Sequence, residues 1–345
     1  MAITVNATAI LFSDGSTQTT AITQKYLGDS AACTTGYSLI SIPGDGISYQ
    51  TNTAWWQTKL SVGTTTADDL FFKSDGTKMY VLDSGPDQVL QFNLSTAWEI
   101  DTASLAYSGS SIATFGGSGL GGMTNAYGMA ISSDGTKLYL TNKAGTSSKI
   151  VQYTLSTPWE INTATISISA NIVIGVTPGE QAPTGIRFKS DGTKMYYVGQ
   201  TLKKVHEYNL STPWVVNTAS ATLVGNVAVS STGQQGVEFN NTGSTMYIPD
   251  YNTDFIYEYS LSTPWSVNTA TLTTNIDISS TSYRTPTAGN NSGISYSANG
   301  HKMYISDFTT NDVRQYTFEN NPSLKTVQVG GDLVISTNST CILIG

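Results

Sequence analysis

The sequence holds only two histidines, His206 and His301, so a nucleophile–histidine pair or a histidine-based metal centre has little to draw on. His206 lies in Lys203-Lys204-Val205-His206-Glu207-Tyr208, an alternation expected of a strand, and reads as a half-buried packing residue. His301 falls in a turn. Glycoside hydrolysis needs two carboxylates across a cleft. The acidic pairs are Asp68 with Asp69, Asp83 with Asp87, Asp250 with Asp254, and Asp307 with Asp312. The last three recur at one place in a repeat, which suits turn formation better than a single active centre. The same six residues, Asp83, Asp87, Asp250, Asp254, Asp307 and Asp312, are the candidates for calcium, a hard cation that prefers oxygen donors. The sequence has no Gly-x-Ser-x-Gly elbow, phosphate-cradling loop or His-Glu-x-x-His. No catalytic residue and no cofactor is therefore expected, and the chain does not read as an enzyme.

The elements that carry these residues repeat. Ser74-Asp75-Gly76-Thr77-Lys78-Met79-Tyr80 returns at Ser133–Tyr139 and Ser190–Tyr196, and more loosely at Asn241–Tyr247 and Ala298–Tyr304. The glycines at 76, 135, 192, 243 and 300 are separated by steps of 59, 57, 51 and 57 residues. Leu94-Ser95-Thr96-Ala97-Trp98 travels with the first motif and returns as Leu-Ser-Thr-Pro-Trp ending at Trp159, Trp214 and Trp265. Three residues after each Trp comes Asp-Thr-Ala or Asn-Thr-Ala. Each unit reads as four short strands: in the second, Tyr127–Ser132, Lys137–Leu140, Ile150–Leu155 and Ala164–Ile168, with Asp134-Gly135 as a hairpin. A lone four-stranded sheet cannot bury both faces, whereas sheets set radially bury each face on a neighbour. The expected fold is an all-β, five-bladed β-propeller, with six blades as the alternative. Trp98, Trp159, Trp214 and Trp265, with Tyr80, Tyr139, Tyr196, Tyr247 and Tyr304, form its expected repeat core. Ring closure is expected to use Ile47–Trp55 as a third strand plus turn and Lys59–Val62 as a fourth.

Residues 1–45 and 320–345 lack the full repeat and flank a propeller over 46–319. Both are short, β-prone and poor in charge, and neither is long enough to fold alone, so self-association or partners are expected to cover them. Cys33 and Cys341 lie in these two ends. Sixteen Lys+Arg against 24 Asp+Glu give a net charge of −8, which argues against nucleic acid, because neutralising phosphates takes clustered basic residues. No apolar run approaches the roughly 20 residues that span a bilayer, so no membrane insertion is expected. The first residues show no basic-then-apolar secretory leader.

The segment Leu11-Phe12-Ser13-Asp14-Gly15-Ser16-Thr17-Gln18-Thr19-Thr20-Ala21 resembles a short motif of tailed-phage fibre and other virion proteins. The repeat over about 58–318 is similar to propeller repeats of phage and bacterial surface proteins. The resemblance implies a virion component with an N-terminal attachment piece and a β-rich binding head. It brings no catalytic residues. Its partners would be other virion proteins of tail, neck or capsid, and a host-surface glycan or protein. Fibres have cyclic symmetry, so a homotrimer is expected. The chain is too short for a long shaft, which favours a short fibre or a capsid-mounted knob. A capsid decoration without receptor binding, a propeller glycan hydrolase and a bacterial adhesin are the alternatives.

Function on a repetitive scaffold resides where the units differ. The Asp-Gly hairpins and Trp turns are uniform and share one face of the ring. The second-to-third turns and the variable crossovers between units share the other. That crossover face is expected to bind the target, with Phe115, Tyr127, Glu180, Tyr251, Tyr283 and Arg284 as contacts.

Overall fold

The structure is a computed structural model that describes residues 4–6, 9–11, 17–18, 25–27, 38–40, 55–107, 113–114, 123, 125–173, 180–217, 220–278, 290–317 and 342–344. The chain forms two compact units, Met1–Thr51 with Glu319–Gly345, and Asn52–Phe318. In the first unit, Ile342–Ile344 lies between Lys25–Leu27, antiparallel, and Ser38–Ile40, parallel. Strands from both ends of the chain therefore share one sheet in a single unit, where the sequence suggested two separate segments. Cys33 and Cys341 lie outside the described residues.

The second unit is a five-bladed β-propeller. Blade 1 carries Asp69–Phe72, Lys78–Asp83, Gln88–Leu94 and Ala103–Leu105, with Ala113–Thr114 also paired to its third strand. Blade 2 is Ala126–Ile131, Lys137–Asn142, Lys149–Leu155 and Ala164–Val173. Blade 3 is Pro183–Phe188, Lys194–Gly199, Lys204–Leu210 and Ala221–Ala228. Blade 4 is Glu238–Phe239, Thr245–Pro249, Phe255–Leu261 and Ala270–Asp277. Blade 5 takes Asn291–Tyr296, Lys302–Asp307 and Asp312–Thr317 from the end of the repeat region and its fourth strand, Trp55–Ser61, from the beginning. Closure thus uses one early strand. Asp312–Thr317 already fills the third position and pairs from Asp312↔Ser61 to Thr317↔Trp55, so the expected early third strand has no place there. Residues 47–54 lie outside the described residues.

The repeated motifs are the parts of a latch. Asp75 accepts hydrogen bonds from the amide and hydroxyl of Thr77 at 3.0 and 2.7 Å, which closes the hairpin around Gly76 at φ +74°. Asp134 with Thr136, and Asp191 with Thr193, repeat the arrangement. The Trp turn of the same blade folds onto this hairpin. The Trp98 amide donates to the Gly76 carbonyl at 3.0 Å, and Trp159, Trp214 and Trp265 do the same to Gly135, Gly192 and Gly243. Each indole covers its glycine so closely that a Cβ on Gly76 would stand 2.4 Å from the Trp98 ring. The four tryptophans themselves adopt φ of +61° to +66°. That conformation costs an L-residue roughly 1–2 kcal/mol, and the ring contact and amide bond offset it.

The latch then reaches the next blade. Tyr80, Tyr139, Tyr196 and Tyr304 donate to the carbonyls of Trp159, Trp214, Trp265 and Trp98 at 2.6–2.9 Å. A polar residue of the third strand adds a second tie: Gln91, Gln152, Glu207 and Gln315 accept the amides of Ile161, Val216, Val267 and Ile100. The buried tyrosines pack between sheets, as with Tyr139 against Phe188 at 4.4 Å and Tyr196 against Phe239 at 4.5 Å. The tryptophans thus join neighbouring blades through their backbone carbonyls.

Candidate functional site

The innermost strands meet around the ring axis, and each repeat position there is occupied five times. One position holds Asp69, Gly128, Gly185, Gly236 and Gly293. Glycine is required here by proximity: a Cβ on Gly128 would lie 1.8 Å from the Thr184 carbonyl oxygen, and one on Gly236 would lie 2.7 Å from that of Ser292. Asp69 is the one side chain in this layer and is fully buried.

Two residues further along, toward the hairpins, the five occupants are Phe71, Ala130, Arg187, Glu238 and Ser295. Small residues at 130 and 295 leave space that Arg187 spans. Its guanidinium donates to Asp69 Oδ2 at 3.2 Å and Oδ1 at 3.3 Å, and to Glu238 Oε2 at 3.0 Å. It also donates to the carbonyls of Leu70, Met129, Ile186 and Ile294 at 2.8–3.0 Å. One side chain from blade 3 thereby touches all five blades. The planar fork of five donors makes this geometry available to Arg and not to Lys. The two neighbouring carboxylates hold its pKa above the ordinary value against the opposing effect of burial. Burial raises the Glu238 carboxyl, and Arg187 partly offsets that.

Above this charged floor the channel widens into a cavity of about 450 Å³ that opens among the hairpins. Phe71, Phe188, Tyr247 and Tyr296 contribute aromatic surface, and Trp98, Trp159 and Trp214 stand at its edge. The polar lining is mostly hydroxyl and amide: Ser74, Ser133, Ser190, Asn241, Ser295 and Asn299 are among it. Among the described residues, Glu238 is the one carboxylate and Arg187 the one cation of the lining. This is the usual make-up of a binding pocket, apolar walls with a few convergent polar groups.

The cavity is on the hairpin face, opposite the crossover face that the sequence comparison favoured. Of the six expected contacts, Phe115, Tyr283 and Arg284 lie outside the described residues. Glu180 is corrected: it is fully buried and accepts the amides of Gln181, Ala182, Thr201 and Leu202 at 2.9–3.2 Å. Burial opposes its ionisation, but His206 and those amides outweigh it and hold the carboxyl at about 2. It organises a loop and does not face a partner. Tyr127 and Tyr251 are half-buried on the crossover side. Tyr127 lies under the Lys143 ammonium at 5.1 Å, and Tyr251 packs edge-on against Phe308 at 6.1 Å. Burial, then Asp68 and Tyr251, push the Tyr127 phenol up.

His206 is more buried than expected, stacked on Tyr197 at 4.7 Å with Nε2 3.8 Å from Glu180. The three recurring acidic pairs lie on separate blades, 1, 4 and 5. Asp83 accepts from Thr65, Thr66 and Gln88, Asp250 from Thr232 and Asn252, and Asp307 from Thr309 and Thr310. Asp87 accepts the Ala126 amide at 3.0 Å, and Asp307 and Asp312 both pair with Arg314. Among the described residues no group of three or more acidic, histidine or cysteine side chains is placed to hold a metal ion.

No protein-family model and no curated protein matches the sequence. Among solved structures, the glutaminyl cyclase of Myxococcus xanthus superposes with a TM-score of 0.52 at 13% identity, over 76% of this chain and 95% of that one. A functionally unknown protein from Desulfotomaculum acetoxidans gives 0.41 at 13%, over 71% of this chain and 64% of that one. A protein from Lactobacillus plantarum gives 0.44 at 11%, over 80% and 74%. At 13% identity the likeness to the first of these is one of fold alone.

Proposed function

We propose that the chain is a virion appendage protein, a short fibre or knob of a tailed phage, whose propeller recognises a host-surface glycan at the hairpin-face cavity. The cavity carries the reading. Aromatic faces among serine, threonine and asparagine groups suit the apolar and hydroxyl faces of a sugar. A lining with one carboxylate favours binding over glycoside hydrolysis, which uses two. The Leu11–Ala21 resemblance supports the virion assignment. The pairing of strands from both chain ends in one unit is consistent with an attachment piece. Self-association through that unit would give the homotrimer.

The full chain is expected to sediment as a trimer, to label purified particles when epitope-tagged, and to bind host cells. Tyr296→Ala, which removes one cavity wall, should weaken cell binding about tenfold or more while leaving the fold intact. Particle labelling without cell binding would leave a decoration protein. Release of reducing ends from host polysaccharide would identify an enzyme.

A further inference from the structure

The charges at the base of the cavity are unevenly satisfied. Arg187 spends its donors on two carboxylates and four carbonyls, so none is left to meet an anionic ligand. Asp69 is saturated as well: Oδ1 accepts the Leu70 amide and Oδ2 the Met129 amide, both at 2.8 Å, besides the guanidinium. Glu238 differs. Oε2 accepts from Arg187 and Oε1 from the Phe239 amide at 2.9 Å, one partner each, where a carboxylate has about four acceptor positions. Its side chain is 17% exposed, and it lines the cavity. The three charges of Asp69, Arg187 and Glu238 leave one net negative charge under the cavity. Phe71, Tyr247 and Tyr296 line the same space, the Phe71 ring under the Arg187 guanidinium at 5.8 Å and the two tyrosine rings packed on each other at 4.6 Å. A carboxylate, phosphate or sulfate placed there would meet like charge and no free cationic donor. An ammonium would meet an acceptor with open lone pairs beside aromatic side chains.

We infer that the cavity takes the ammonium group of an amino sugar, with Glu238 accepting from it and Phe71, Tyr247 and Tyr296 packing around it. This deepens the glycan-recognition reading and rests on it. The remaining hydroxyl and amide lining is left to meet the sugar's hydroxyls.

Three oligosaccharide probes separate the two levels. Glucosamine oligomers carry free amines, N-acetylglucosamine oligomers have the same skeleton without charge, and sialyllactose is anionic. Calorimetry on the full chain should show the glucosamine oligomer binding at least tenfold more tightly than its acetylated counterpart, and sialyllactose not at all. Glu238→Gln should abolish that preference, so that the two oligomers bind with equal affinity. Because Glu238 also pairs with Arg187, its variant is first checked by circular dichroism. Should it fail to fold, Phe71→Leu keeps the carboxylate and apolar volume but removes a ring, and should lower affinity for the amine more than for the acetylated oligomer. Binding of the acetylated or anionic oligomer in preference overturns the ammonium assignment and keeps glycan recognition. Binding of none of the three overturns both.

Discussion

Four of the five blade interfaces are built alike, and the fifth is not. From blade 5 to 1, 1 to 2, 2 to 3 and 3 to 4, a tyrosine hydroxyl reaches a tryptophan carbonyl and a Gln or Glu accepts an amide beyond it. Between blades 4 and 5 neither tie is made among the described residues. The chain leaves the propeller after the third strand of blade 5, where other blades run on into a Trp turn. Gly300 keeps the hairpin conformation, φ +76°, yet a Cβ there would meet nothing within 4 Å. Tyr247 instead packs on Tyr296 at 4.6 Å and lines the cavity. The interface without the latch supplies two of the aromatic side chains that line the site. Arg187 compensates at the axis, because it joins Glu238 of blade 4 to the Ile294 carbonyl of blade 5.

The contrast can be broken most severely at that hub. Arg187→Ala leaves two buried carboxylates facing each other and should cost about 3–5 kcal/mol of unfolding free energy, read by urea denaturation. A loss below about 1 kcal/mol would mean that the latches alone hold the ring. The hairpin glycines come next. Gly135→Ala combines an unfavourable φ with a clash against Trp159, 2.3 Å away, and should cost about 3 kcal/mol; Gly300→Ala carries the φ penalty alone, about 1 kcal/mol. Equal losses would show that the indole yields. The smallest effect separates the tyrosines. Tyr139→Phe removes the bond to the Trp214 carbonyl and should cost about 1 kcal/mol, whereas Tyr247→Phe should stay within about 0.5 kcal/mol.

The propeller was legible because its hairpin and Trp-turn residues do the same work in successive blades, and identical work keeps identical residues. The five-blade count and the last blade's borrowed strand followed from the same pattern. The extent of borrowing did not, because Ile47–Trp55 and Val313–Phe318 both have the composition of a third strand, and only pairing decides between them. The site was less legible. The comparison of units stopped at the loops, where Glu180 looked like an exposed acid; a carboxylate that gathers loop amides has the same sequence signature as one that greets a ligand. The usable signal was inside the strand. Phe71, Ala130, Arg187, Glu238 and Ser295 share one repeat position with five different chemistries. The two-residue offset from Asp69 and its glycine counterparts marks it as axial.

The closing strand pair also sets how the propeller bears mechanical load. The chain enters at Trp55 and leaves after Thr317, and these two residues are antiparallel partners at one end of the same sheet. Tension applied to both connections together pulls the paired strands in the same direction and does not part them. Tension on one connection alone slides that strand past its neighbour or peels it away. Severing either connection would turn a shared load into an unzipping force on the Trp55–Thr317 end of the sheet.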